Sequence, residues 1–117
     1  MTFAADAVSA EFTPRKIQLS EFEQLRLKTN HVVLDVRTPE EFSTGHVEGA
    51  TNVNFKDPNF AQTLQTLDKS KTYLVHCARG HRSHLAALQM AKLGLTNVID
   101  FAGGMEGWRK ADKPVAR

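Results

Sequence analysis

Three short β-branched runs, HVVLDV (31–36), TYLVH (72–76) and NVIDF (97–101), are each followed by the start of a helix, and this alternation constrains the fold more than anything else in the chain. Each run is too short to be a helix and too apolar for an exposed loop, so each reads as a buried strand. Strands that alternate with helices imply a parallel sheet covered on both faces. In such sheets ligands bind outside the carboxyl ends of the strands. The fold class expected is therefore α/β.

The rest of the chain fits around those runs. KIQL (16–19) reads as a first strand, and Ser20 as an N-cap with Glu23 as its capping-box partner. Phe22 and Leu25 give that helix its inner face. Thr38-Pro39-Glu40-Glu41 is a second helix start, with proline at the first helical position and Gly45 as the stop. ATNVNF (50–55) is a further strand. Asp57-Pro58 opens a third helix, its apolar side marked by Phe60, Leu64 and Leu67. From Arg82 to Leu93 runs a largely buried helix, with Gln89 and Lys92 near the side of Leu85 as its wet stripe. Gly94 ends it. Gly103-Gly104 turns the chain into a last short helix carrying Trp108.

At 117 residues, 41% hydrophobic, 24% charged and a net charge of +2, the chain is one folded domain rather than a disordered or nucleic-acid-binding segment. No apolar run approaches the roughly 18 residues of a membrane helix. The opening MTFAADAVSAEF lacks a basic start and an apolar core, so it does not read as an intact signal peptide. Residues 1–14 are expected to form a flexible lead-in and residues 15–117 the domain. The cytoplasm is the expected compartment, with the periplasm as the alternative if a signal peptide has been removed.

The chemistry concentrates in LVHCARGHRS (74–83), which holds the one cysteine, Cys77. A single thiol cannot form an internal disulfide, so the fold does not depend on oxidation. A free cysteine at a strand end is ordinarily just core. This one is followed at once by Arg79, Gly80, His81 and Arg82, at a strand-to-helix junction. A helix N-terminus or a nearby cation lowers a thiol pKa from about 8.5 to roughly 3.5–7.5. Loop and first-turn N–H groups can form an anion cradle, and Gly80 supplies a turn that a Cβ would obstruct. CARGHR thus reads as a thiolate nucleophile in a cationic cup. His76, His81 and His84 with Cys77 raise the question of zinc. However, His76 should point to the opposite side of its strand, and four converging ligands are lacking, so no metal is expected.

Three collinear segments, VVLDVRTPEEFSTGHVEGATNVN, CARGHRS and FAGGMEGW, resemble the rhodanese family of single-domain sulfurtransferases, over about Lys16 to Lys113. The resemblance implies a five-stranded, largely parallel sheet flanked by helices. It also implies a six-residue loop from the nucleophile Cys77 through Ala78, Arg79, Gly80 and His81 to Arg82, which holds the transferred sulfur. Related cysteine phosphatases and arsenate reductases have a longer loop, whereas this chain has four residues between Cys77 and Arg82. No aspartate general acid follows directly; Asp100 and Asp112 lie well downstream. The implied reaction takes a sulfane sulfur from thiosulfate or glutathione persulfide. It passes that sulfur through a Cys77 persulfide to a thiol, cyanide or protein acceptor, with no cofactor. A non-turnover sulfur-relay or protein-binding module is the rival from another class. No nucleic acid or membrane partner is implied.

Under the same resemblance Asp35, Arg37, Glu41 and His46 are scaffold. Arg37 is expected to pair with a carboxylate, Glu41 being the candidate, and so to fix a strand-to-helix turn. His46 is a packing and hydrogen-bonding residue near the site, and Trp108 a core plug. Arg82 is expected to be held by backbone contacts and to maintain the loop. Arg79, mid-loop, projects toward the mouth and favours anionic donors.

Overall fold

The computed structural model describes residues 13–117, and the expected lead-in lies outside them except for Thr13 and Pro14. Five strands form one sheet: β1 (Arg15–Ile17), β2 (His31–Asp35), β3 (Thr51–Asn52), β4 (Thr72–His76) and β5 (Val98–Phe101). Their order is β1-β5-β4-β2-β3, and every pairing is parallel, so the sheet is wholly rather than largely parallel. The helices are α1 (Leu19–Leu25), α2 (Pro39–Ser43), α3 (Phe60–Gln65), α4 (His81–Lys92) and α5 (Gly104–Lys110).

The period-two alternation of the strands divides the core. Leu34, Tyr73, Val75 and Val98 face α3 and α4, where they bury Phe60, Leu64, Ala86, Ala87 and Met90. Val33, Leu74 and Phe101 face α1 and α5, where they bury Phe22, Met105 and Trp108. Phe22 stacks on Phe101 and meets Trp108 edge-on. Trp108 is 1% exposed, and its indole N–H donates to the Pro114 carbonyl, so it plugs this second core as expected.

Some boundaries move. Ser20 is not a cap: α1 begins at Leu19, its cap residue is Gln18, and no side chain caps it. Phe22 N–H reaches back to the Gln18 carbonyl, so burial of Phe22, rather than a serine hydroxyl, fixes the start. The expected 50–55 strand shrinks to Thr51–Asn52 at the sheet edge, and the third helix starts at Phe60 instead of after Asp57. By contrast Thr38 makes a full capping box with Glu41, with Pro39 in the first turn.

β4 sits between β2 and β5, so the chain leaves β2 toward one edge and β4 toward the other. This is a topological switch point, where the carboxyl ends of parallel strands open a crevice. The loop after β4 and the start of α2 face each other across it.

Candidate active site

Cys77 follows the last residue of β4, and residues 77–80 turn the chain into α4. Gly80 makes the turn with φ of 100°, and a Cβ there would meet the Ala102 carbonyl oxygen at 2.7 Å. Only glycine takes that backbone without strain. The turn folds the Gly80 N–H onto Cys77 Sγ at 3.1 Å. The sulfur is buried at the base of a twelve-residue helix, with Ser83 Oγ 3.6 Å away. Burial pushes the Cys77 thiol pKa up, but hydrogen bonds with the backbone and side chain of Ser83 and the backbone of Gly80 and Arg79 outweigh it, leaving the pKa below the ordinary value.

The loop is clasped from behind. Met105 N–H donates to the Cys77 carbonyl at 2.8 Å, and Glu106 N–H donates to the Ala78 carbonyl at 3.0 Å. Such close approach requires Gly104, whose φ is 61° and whose absent Cβ would lie 2.6 Å from both carbonyl oxygens. The glycines of FAGGMEGW thus act on the Cys77 loop itself as well as on the turn before α5.

The arginines behave differently from one another and from expectation. Arg82 is not held by the backbone. Its guanidinium forks onto the Glu41 carboxylate at 2.7 and 3.0 Å, across the switch point. That fork, with the Thr38 N–H and hydroxyl, lowers the Glu41 pKa to about 2 despite partial burial. Arg37 accordingly does not pair with the Glu41 carboxylate; it takes Asp35 instead, at 2.8 Å, with both side chains buried. Its remaining N–H groups donate to the carbonyls of Gly45 and Glu41. The pair follows from register: Asp35 ends β2 facing inward, and the next inward-directed polar group along the turn is Arg37. The cationic cup is therefore largely a backbone cup, since Arg82 is neutralised by Glu41. Arg79 and His81 stand exposed and Ala78 is half-buried.

His46 packs flat on Phe42, with ring centroids 3.7 Å apart, and its Nδ1 meets the Phe42 carbonyl at 2.9 Å. It anchors α2 and bridges by its backbone to Ala116, away from the contacts around Cys77. His76 lies on the sheet face opposite Cys77. Its ring is wholly buried, and burial lowers its pKa. Among the described residues no cluster of three His, Cys, Asp or Glu side chains could hold a metal, and no helix is long and apolar enough to cross a membrane.

Three residues linked in a chain that starts at the sulfur were given no role by the sequence reading. Ser83 Oγ donates to Asp100 Oδ1 at 2.8 Å, and Asp100 Oδ2 meets Lys16 Nζ at 3.0 Å. Asp100 is fully buried on the α4 side of β5, between the core positions of that strand. A carboxylate at an inward position of an apolar strand was the available signal, because a buried charge needs a partner.

Comparison with known proteins matches residues 18–111 to the model of the Rhodanese-like domain. Thiosulfate sulfurtransferase 16, chloroplastic, of Arabidopsis thaliana is 38% identical over 98 residues, covering 75% of this chain and 82% of that protein. Thiosulfate sulfurtransferase GlpE of Pseudomonas putida is 32% identical over 95 residues, covering 81% and 84%. Two further plant relatives are spanned over 50% of their own length. The crystal structure of a rhodanese-related protein from Thermoplasma volcanium superposes with a TM-score of 0.77 at 30% identity, covering 87% of this chain and 97% of that one.

Proposed function

The chain belongs to the rhodanese-like domain family, and from that membership we propose that residues 15–117 transfer sulfane sulfur through a persulfide on Cys77. The observation that carries this reading is the Gly80 N–H aimed at Cys77 Sγ from the N-cap position of α4. A site built from N–H donors favours an anion at the sulfur position while sulfur is transferred.

In the first step the Cys77 thiolate attacks the outer sulfur of thiosulfate or of glutathione persulfide. The S–S bond of the donor breaks, and sulfite or a thiolate leaves with the electron pair. Cys77 then carries a terminal sulfur whose negative charge the loop N–H groups of residues 78–82 accept. A thiolate, cyanide or a protein cysteine attacks that terminal sulfur, and the Cys77 thiolate returns. The exposed Arg79 guanidinium draws the anionic donor to the mouth, while the Arg82–Glu41 fork keeps the loop closed. The steps need no metal or organic cofactor.

Intact-mass measurement after incubation with thiosulfate tests the reading. The wild type should gain one sulfur atom and Cys77→Ser none. Loading followed by turnover with cyanide or thiols marks an enzyme. Loading without turnover marks a relay module, and a wild type that takes up no sulfur overturns the persulfide route.

A further inference from the structure

Ser83 has one hydroxyl proton and two neighbours that compete for it. Asp100 Oδ1 lies 2.8 Å away and Cys77 Sγ 3.6 Å away. A bond to an ionised acceptor is the stronger, and the shorter distance agrees. The carboxylate is held in place by Lys16 at 3.0 Å, which in turn lies 3.1 Å from His84 Nδ1. A Ser83 hydroxyl that donated to the sulfur would lower the thiol pKa, but with its one proton committed to Asp100 at 2.8 Å, Ser83 turns an oxygen lone pair toward the sulfur instead. A lone pair favours a thiol, which can donate S–H to it, and opposes a thiolate.

We propose that Asp100 is a positioning residue that acts through Ser83 to hold Cys77 in its protonated, resting form. The inference rests on Cys77 being the nucleophile. When the thiol proton leaves to solvent, the thiolate faces the Ser83 lone pair, with a carboxylate behind it. Neutralising Asp100 reverses both effects: Ser83 is free to donate to the sulfur anion, and the second negative charge is gone. The backbone donors and the Ser83–Asp100 pair thus pull in opposite directions. The first make the nucleophile available, and the second limits how much of the lone thiol stands ionised between turnovers.

The other charged groups around the pair are accounted for. Lys16 on β1 and His84 on α4 flank Asp100. Arg82 on α4 is occupied by Glu41 on α2, and Asp35, bound to Arg37, lies with His76 on the opposite sheet face. Arg79 and His81 are exposed to solvent. None of these supplies the proton that Ser83 gives to Asp100.

The test follows Cys77 ionisation directly, by thiolate absorbance and by the pH dependence of iodoacetamide alkylation, in the full chain. Asp100→Asn keeps the shape and offers an amide N–H to Ser83 Oγ, turning the hydroxyl proton toward sulfur. Its midpoint should fall by about one pH unit, giving about fivefold faster alkylation one unit below the wild-type midpoint. Ser83→Ala should also lower the midpoint, and Ser83→Thr should keep that of the wild type. In the Ser83→Ala background, Asp100→Asn should produce well under half of its effect alone. An unchanged or raised midpoint in Asp100→Asn overturns the proposal. So does a raised midpoint in Ser83→Ala, which would mean that the hydroxyl already donates to the thiolate. An undiminished Asp100→Asn effect without the hydroxyl would show a bare charge acting on its own and equally overturn positioning. If Asp100→Asn does not fold, the opposite signs expected for Ser83→Ala decide the matter. These titrations do not require sulfur transfer, so a failure of the proposed function would appear separately, as absent loading by thiosulfate.

Discussion

Cys77 is a nearly inaccessible sulfur that nevertheless ionises early, because hydrogen bonds with Ser83, Gly80 and Arg79 offset the cost of burial. Its alkylation rate should rise with a midpoint below the free-thiol value of about 8.5; a midpoint at or above that value would mean the donors do not converge on the sulfur. Cys77→Ser should lose sulfur loading entirely while melting near the wild-type temperature, since the hydroxyl fits the same donors but cannot carry a persulfide. Arg79 has a narrower role. Its side chain is exposed, and the role proposed for it is to draw anionic donors toward the loop. Arg79→Ala should raise the KM for thiosulfate about tenfold, the scale of a charge-assisted hydrogen bond in a wet site, and affect an uncharged donor less. Equal losses for both donors would remove its selective part.

Among the elements, α2 and α4 are joined by one fork across the switch point, and that fork ties the loop to the sheet. Glu41→Gln should weaken loading by every donor, because it loosens Arg82 and the capping box together. The pair also predicts an acid response. The folded Glu41 pKa is about 2 against 4.5 unfolded, so its stabilisation is complete above 4.5 and disappears as pH falls toward 2. With side chains 18% and 37% exposed, screening reduces that contribution to about 1 kcal/mol. Urea titrations from pH 5 to 2 should show Glu41→Gln converging on the wild type; parallel curves would remove the linkage. The capping box was legible because its spacing is local. The partner of Arg82 was not, because Glu41 and Arg82 meet only after β2 and β4 pair. Arg37 was expected, under the resemblance, to pair with Glu41; it takes Asp35, two residues away, because the end of β2 turns both side chains to the same buried side. Ser20 misled because a good cap residue was outweighed by the burial of Phe22 next to it. The Cys77 loop itself was readable, since strand, glycine and helix start are all encoded within ten residues. Ser83 and Asp100 required β5 to be placed beside β4.

At the scale of the whole molecule, α5 has two roles that the separation of the core into two faces obscures. It closes the core of Phe22, Phe101 and Trp108 on one side of the sheet, and its first turn holds the Cys77 and Ala78 carbonyls at the candidate site. Stability and site geometry are therefore coupled through a single helix seven residues long. Trp108→Ala should cost ~3–5 kcal/mol, a large share of the 5–15 kcal/mol typical of a domain, and should loosen the loop with it. Gly104→Ala separates the two roles. It removes no side chain from the aromatic core, but its Cβ would come 2.6 Å from two loop carbonyls, in a left-handed backbone that an L side chain resists. To relieve the contact, α5 has to draw away from the loop, lengthening the bonds from Met105 and Glu106. Gly104→Ala should therefore lose at least tenfold in thiosulfate loading at temperatures where circular dichroism shows it folded, with a smaller loss of denaturation midpoint than Trp108→Ala. Wild-type loading in folded Gly104→Ala would show that the clasp does not set the geometry of Cys77, leaving α5 with a packing role alone.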